Sequence, residues 1–225
     1  MTLFRDRKAA GQALAKNFID YAVKKNTVVL AIPDGGVPVA YEIAKSLHAP
    51  MDIIIVRKLS VPGNREWAMG AITSGGIRII NHDVVRLFNI SQFAVDAMVA
   101  MEQEEIARQE QVCRDGWPAL EIHGRVVIVV DDGIATGATM RTAVLSIKQR
   151  NPARIIAAAP TASSDGIKML NNYVSQVICL SSPEPYIAVG RWYENFPQVT
   201  KTQISNLLIE AAKDLCVSSS QEKTH

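Results

Sequence analysis

Val126-Val127-Ile128-Val129-Val130-Asp131-Asp132-Gly133-Ile134-Ala135-Thr136-Gly137-Ala138-Thr139-Met140 decides how this chain folds. Five consecutive apolar, β-branched residues read as a short strand buried on both faces, the kind found in parallel sheets covered by helices. Two carboxylates stand at its C-terminal end. A small-residue loop with two hydroxyls follows, and Thr139 is the expected cap of the next helix. In an open α/β sheet, ligands bind outside the carboxyl ends of the strands. Residues 134–139 therefore bring backbone N–H groups to a helix N-terminus, where an anion is favoured, and Gly137 allows close approach or a positive φ. Asp131 and Asp132 do not suit a bare phosphate. They suit a phosphate carried on a sugar, because carboxylates accept from vicinal hydroxyls and hold a hydrated Mg²⁺. The stretch reads as a cradle for a ribose 5-phosphate.

Working outward, residues 6 to 25 read as a helix with Leu14, Phe18 and Tyr21/Ala22 on one face. Val28–Ile32 and Met51–Val56 read as buried strands joined through a helix at Val37–Leu47, which implies a parallel pair. The intervening Asp34-Gly35-Gly36 has two glycines opening a helix, an arrangement that turns amides toward an anion. Arg57 and Lys58 follow the second strand on the same side of the sheet, where cations neutralise a phosphate. Pro62-Gly63-Asn64 marks a loop, and Ala71–Ile80 a hairpin around Gly75-Gly76. Glu66 is either a group that orients a nucleophile or a surface acid. Ser91 caps a charged helix to Arg114, read as solvated and outside the core, with Glu104 and Arg108 paired at i,i+4.

Beyond the central stretch, Thr139–Gln149 is helical and Arg154–Ala159 is a strand stopped by Pro160. Ser163 or Ser164 caps a helix to Tyr173, and Val177–Leu180 is the next strand. Ser182–Phe196 is rich in aromatics and prolines. Its Trp192 and Tyr193 either sandwich a planar base or pack in the core. Thr200 or Thr202 opens a terminal helix, with a disordered tail at 216–225. Six or so strands alternating with helices give a doubly wound, mainly parallel α/β sheet in one domain, residues 1–215.

Composition narrows the function classes. The chain has 225 residues, 48% hydrophobic and 20% charged, with net charge +2. That balance argues against nucleic acid or membrane surfaces as partners. No apolar run approaches the ~20 residues of a membrane span. The N-terminus has no signal-peptide pattern, and three scattered cysteines fit a reducing cytoplasm.

The acidic pair followed by a loop ending Thr136-Gly137-Ala138-Thr139 resembles the phosphoribosyl-pyrophosphate signature of type I phosphoribosyltransferases. The Ala135-Thr136-Gly137 form is similar to that of adenine phosphoribosyltransferases. The Gly35-Gly36-Val37-Pro38-Val39-Ala40 turn, the Arg57-Lys58-Leu59…Pro62-Gly63-Asn64 loop and the Val189-Gly190…Trp192-Tyr193 ending extend the resemblance to a branch of undefined substrate.

The resemblance implies phosphoribosyl transfer from phosphoribosyl pyrophosphate to a nitrogenous base, with Mg²⁺, in a fold carrying a small hood (about 181–200) and a helical insertion (about 84–116). Asp131 and Asp132 would hold the ribose and the metal. Ile134, Ala135, Thr136, Gly137, Ala138 and Thr139 would hold the 5-phosphate. Asp34, Gly35 and Gly36, with Arg57 and Lys58, would hold the pyrophosphate, and residues 59–70 would form a lid that includes Glu66. Ile187, Val189, Trp192 and Glu194 would form the base-binding hood, and a homodimer is common in such proteins. Asp34 departs from the basic residue usual before the two glycines. Asp34 and Ala135 keep open a regulatory protein that senses phosphoribosyl pyrophosphate or nucleotides without turnover. A phosphatase or phosphoacceptor domain using Asp131/Asp132 is the other alternative.

Overall fold

The computed structural model describes residues 3–22 and 26–221. Its centre is a five-stranded parallel sheet of β1 (Thr27–Ala31), β2 (Met51–Ile53), β6 (Val126–Val130), β7 (Arg154–Thr161) and β8 (Gln176–Ser181), in the order β2-β1-β6-β7-β8. Strand β6 is the middle one, paired along its whole length with β1 and β7. Its β-branched run is explained by burial on both faces. Val127 and Val129 join Val28, Leu30, Ala157 and Ala159 in one core, covered by α6 (Ala138–Lys148) and α7 (Ser164–Leu170). Ile128 and Val130 join Val29, Ala31, Ile156 and Ala158 in the other, covered by α1 (Arg7–Ala15) and α3 (Gly36–Leu47). Alternate side chains of one strand feed opposite layers, as a doubly wound sheet requires.

Three departures from the sequence reading have physical causes. The apolar run 51–56 is not one strand. After Ile53 the chain crosses between the two cores through Ile54 and Ile55, and β3 (Val56–Val61) joins a separate antiparallel sheet with β4 (Asn64–Thr73) and β5 (Arg78–Ile80). A run of isoleucines serves two sheets as well as one, so hydrophobicity alone does not show the switch. The expected lid at 59–70 is therefore most of an ordered hairpin, and Arg57 and Lys58 lie within its first strand. Strand β7 also continues through Pro160. Pairing with β6 has already ended at Val130–Ala158, so no ladder bond on that side needs a proline N–H.

The helices differ in detail. The expected helix at 6–25 is α1, capped by Asp6 through Ala9 N–H at 2.8 Å, then a 3₁₀ turn and the short α2 (Ile19–Ala22); residues 23–25 lie outside the described residues. Asn81 caps the short α4 (His82–Leu87) between the hairpin and α5. The charged α5 (Gln92–Arg114) is capped by Ser91 as expected. It does not lie outside the core, since Val95, Val99, Ile106 and Cys113 are buried in it. Arg108 pairs with Glu105 rather than Glu104. At the far end of α5, Arg114 Nε reaches Asp52 Oδ1 of edge strand β2 at 2.8 Å. Ser163 caps α7, which ends at Leu170. A reciprocal pair of bonds between Thr200 and Gln203 opens α8 (Lys201–Gln221), so the expected tail at 216–225 is helical to Gln221, and 222–225 lie outside the described residues. Among the described residues no helix is long and apolar enough to cross a membrane.

Candidate functional site

The acid pair stands where β6 ends, and the loop after β1 is packed directly beneath it. A Cβ on Gly35 would lie 1.9 Å from Asp132 Oδ2, and one on Gly36 would lie 2.6 Å from the Val130 carbonyl. The two glycines are thus needed for close approach, and they bring Asp34-Gly35-Gly36 against Asp131 and Asp132. Among the described residues, the N–H groups of Asp34 and Gly35 carry no hydrogen bond, whereas Gly36 N–H caps back to Ile32.

The carboxylates have different surroundings. Asp131 accepts from the Asp132 N–H at 2.8 Å. Burial, reinforced by the neighbouring Asp132 charge, pushes its carboxyl well above the usual carboxylate range. Asp132 accepts from Arg7 Nε at 2.8 Å, and both side chains are nearly covered. Arg7 also donates through Nη1 to the Pro197 carbonyl at 2.6 Å and stacks on the Phe196 ring, 3.7 Å from its centroid. Tyr193 donates its hydroxyl to the Asp132 carbonyl at 2.6 Å, and burial pushes this phenol far up, so it remains a donor.

Only the outer part of the loop after the acid pair presents unbonded amides among the described residues. Ile134 is a core residue whose N–H is taken by the Thr161 carbonyl, so its amide does not face a ligand. The N–H groups of Ala135, Thr136, Gly137 and Thr139 carry no hydrogen bond among the described residues. Ala135, Thr136, Ala138 and Thr139 are exposed. Gly137, with φ of +75°, is the N-cap of α6. That position was expected at Thr139, which instead lies in the first turn. Thr136 Oγ1 accepts from Ala138 N–H at 3.4 Å.

The antiparallel sheet splits the basic pair. Successive strand residues face opposite ways. Arg57 turns to α5 and donates from Nε to Glu102 at 2.6 Å. Lys58 lines a cleft of about 810 Å³ with Gly70, His82, Arg141 and the first α6 residues, Ala138 and Thr139. Glu66 is exposed, and its backbone N–H bonds to Asn64 near the hairpin turn; no contact among the described residues brings it to the acid pair.

The expected hood packs over Gly133. A Cβ there would lie 2.4 Å from Val189 Cγ1 and 3.0 Å from the Tyr186 hydroxyl. Tyr186 Oη is buried beside the Thr161 side chain, and Trp192 Nε1 is buried without a hydrogen-bond partner among the described residues. Ile187 and Glu194 are exposed. The hood is stitched to the N-terminal segment: Leu3 and Phe4 N–H groups donate to the Trp192 carbonyl, and the Glu194 N–H donates to Phe4. Among the described residues no cluster of three or more His, Cys, Asp or Glu side chains is arranged to hold a metal.

Arg7 and Lys201 were not among the expected site residues, and Tyr193, expected either to sandwich a base or to pack in the core, is buried with its hydroxyl on the Asp132 carbonyl. Lys201, in the first turn of α8, donates to Asp34 Oδ1 at 2.6 Å. The only advance signal was the anomaly of Asp34 itself.

Fold and site together define a doubly wound α/β protein with paired carboxylates beside an amide-lined loop. The chain belongs to the phosphoribosyl transferase family, whose domain model matches residues 4–191. A Mycobacterium tuberculosis protein named as a candidate phosphoribosyl transferase, found in strains CDC 1551 and H37Rv, is 39% identical over 214 residues. The match covers 95% of this chain and 48% of that protein, so the chain spans about half the length of these relatives. The crystal structure of TT1426 from Thermus thermophilus superposes with a TM-score of 0.80 at 34% identity, covering 93% of this chain and 99% of that one.

Proposed function

We propose that this protein binds phosphoribosyl pyrophosphate and transfers its 5-phosphoribosyl group to a nitrogenous base, releasing pyrophosphate. The single observation that carries this reading is the convergence of three features at one strand end. Asp131 and Asp132 sit on the Gly35-Gly36 turn, and the next residues form a loop with four amides unbonded among the described residues. Ala135, Thr136, Gly137 and Thr139 N–H groups hold the 5-phosphate. The carboxylates hold the ribose hydroxyls. Lys58, rather than Arg57, faces the pyrophosphate, and Val189 with Tyr186 and Trp192 closes over the acceptor.

The carboxylates also fit Mg²⁺. Asp132 Oδ2 is committed to Arg7 and Asp131 Oδ1 to a backbone N–H, and the two carboxyl groups also face each other, so Asp131 Oδ2 and Asp132 Oδ1 would be the oxygens offered to the metal. Mg²⁺ is characteristically held by one or two carboxylates together with substrate oxygens and water. When bound, it would neutralise charge on the phosphates. Positioning and charge stabilisation supply most of the catalysis, and the chain's part is to fix the ribose between loop and acids.

The test is a calorimetric titration with phosphoribosyl pyrophosphate and Mg²⁺, paired with an assay of pyrophosphate release across candidate bases. Micromolar binding that is lost in Asp131→Asn/Asp132→Asn is the expected result. Absence of binding in the wild type overturns the proposal. Binding without release for any base favours the second reading, a sensor of phosphoribosyl pyrophosphate or nucleotides, which the carboxylate of Asp34 and the Arg7 clamp on Asp132 support.

A further inference from the structure

The loop assigned above to pyrophosphate carries a carboxylate, Asp34, which would repel that group. The structure supplies a counter-charge from the other end of the chain. Lys201 Nζ lies 2.6 Å from Asp34 Oδ1, and both side chains are more than one-third exposed. Asp34 is the residue before Gly35, and Gly35 is the residue on which the Asp132 carboxylate rests. A cation from the C-terminal helix therefore meets the loop on which the acid pair rests, 167 residues along the chain from it.

Stability gives Lys201 little reason to be there. The Thr200–Gln203 bonds fix the start of α8 and place Lys201 in its first turn. A cation at a helix N-terminus costs about 0.3–1 kcal/mol. A half-exposed ion pair returns about 0–1 kcal/mol. The two effects roughly cancel. The ammonium has three donors on a flexible stem, and its recorded hydrogen bond among the described residues uses one, to Asp34.

We propose that Lys201 is the cation this site presents to the pyrophosphate group, and that Asp34 holds it in place until the ligand arrives. This rests on the phosphoribosyl pyrophosphate reading. Asp34 then acts as a positioning residue. It aims the lysine at the loop in the free protein and competes with the ligand for its protons. The two residues have opposite effects on the ligand, which a plain strut between α8 and the β1 loop does not predict.

The experiment is calorimetry with two separate probes, inorganic pyrophosphate with Mg²⁺ and ribose 5-phosphate. It uses the full chain and the variants Lys201→Met, Lys201→Arg and Asp34→Asn, each checked for its melting midpoint. Lys201→Met is expected to weaken pyrophosphate about tenfold, the loss of one charge-assisted contact, with ribose 5-phosphate unchanged. Lys201→Arg restores most of the affinity, and Asp34→Asn strengthens pyrophosphate binding. If the wild type binds both probes and Lys201→Met is unchanged, the inference fails and the ligand reading stands. The inference also fails if Asp34→Asn and Lys201→Met weaken pyrophosphate equally. A wild type that binds neither probe removes the ligand reading and the inference together.

Discussion

Arg7 Nε and Asp132 Oδ2 lie 2.8 Å apart, joining the first turn of the N-terminal helix to the end of the central strand. The side chains are only 10% and 13% exposed, and the guanidinium is also held by the Pro197 carbonyl and the Phe196 ring. One arginine thus fixes a site carboxylate and the segment leaving the hood. Removing one partner of a covered ion pair strands the other, at a cost of about 3–5 kcal/mol. Arg7→Ala is expected to lower unfolding stability by about 3 kcal/mol. Arg7→Lys should recover only part of this, because an ammonium cannot reproduce the fork and the stacking together. Urea unfolding of both variants checks the order; equal stability of Arg7→Lys and wild type would show that charge alone matters.

Asp131 predicts a pH-dependent exchange of stability for function. Its folded pKa is raised above 3.8 by burial and by the Asp132 charge. A raised folded pKa means the folded state holds its proton more tightly than the unfolded state. The favourable term is complete below the unfolded value and is lost as pH rises through the folded one. At pH 7 the buried carboxyl is therefore a burden on the free protein. Asp131→Asn keeps the acceptor for the Asp132 N–H and should raise the melting midpoint at pH 7, by about 2–4 °C per kcal/mol relieved. The gain should shrink toward pH 4, and binding of phosphoribosyl pyrophosphate should be lost throughout. A lower midpoint for the asparagine variant at pH 7 would contradict the burial argument.

What the sequence revealed and what it hid divide along one physical line. The acid pair, the amide loop and the two-glycine turn are each contiguous, so their chemistry is written in adjacent residues. Their meeting follows from parallel pairing of β1 with β6; the sequence implied only the pair joined through the helix at Val37–Leu47, β1 with β2, because strand order across a long connection is set by tertiary packing. Arg7 and Lys201 are charged residues in helical segments, and charge on a helix ordinarily means a solvated face. Nothing in a 3.6-residue period tells a guanidinium that reaches a distant strand end from one that reaches water. The cap of α6 failed for a different reason. Hydroxyl preference points to Thr139, whereas the backbone turns at Gly137 with φ of +75°. The Arg57-Lys58 pair was seen but not its division, because the switch of 51–61 between two sheets leaves no mark on hydrophobicity.

Gly35 offers a steric test of the contact between the two loops. Its φ is −69°, which any residue tolerates, so the obstacle to a side chain is the Asp132 carboxylate at 1.9 Å. Gly35→Ala should push Asp132 off Arg7, lower stability by about 1–3 kcal/mol as overpacking does, and abolish binding of phosphoribosyl pyrophosphate. Adding Asp132→Ala removes the clash. The double variant should be more stable than the additive sum of the single changes, with binding still absent. Simple additivity would mean that the two residues do not press on each other.

The divided basic pair yields the sharpest separation of stability from binding. Arg57 is tied to Glu102 at 2.6 Å on the α5 side of the hairpin, with the carboxylate mostly covered. Lys58 faces the cleft it shares with Ala138 and Thr139. Arg57→Met should therefore cost about 0.5–1 kcal/mol of stability, the range of a partly exposed pair, and change the affinity for phosphoribosyl pyrophosphate less than twofold, well under the tenfold that 1.4 kcal/mol represents. Lys58→Met should weaken that affinity about tenfold through loss of a charge-assisted contact. Thermal melts and calorimetry on the two variants read both quantities. If Arg57→Met weakens ligand binding as much as Lys58→Met while leaving the fold intact, the arginine leaves Glu102 to engage the ligand, and the split seen in the free protein is not the arrangement that binds.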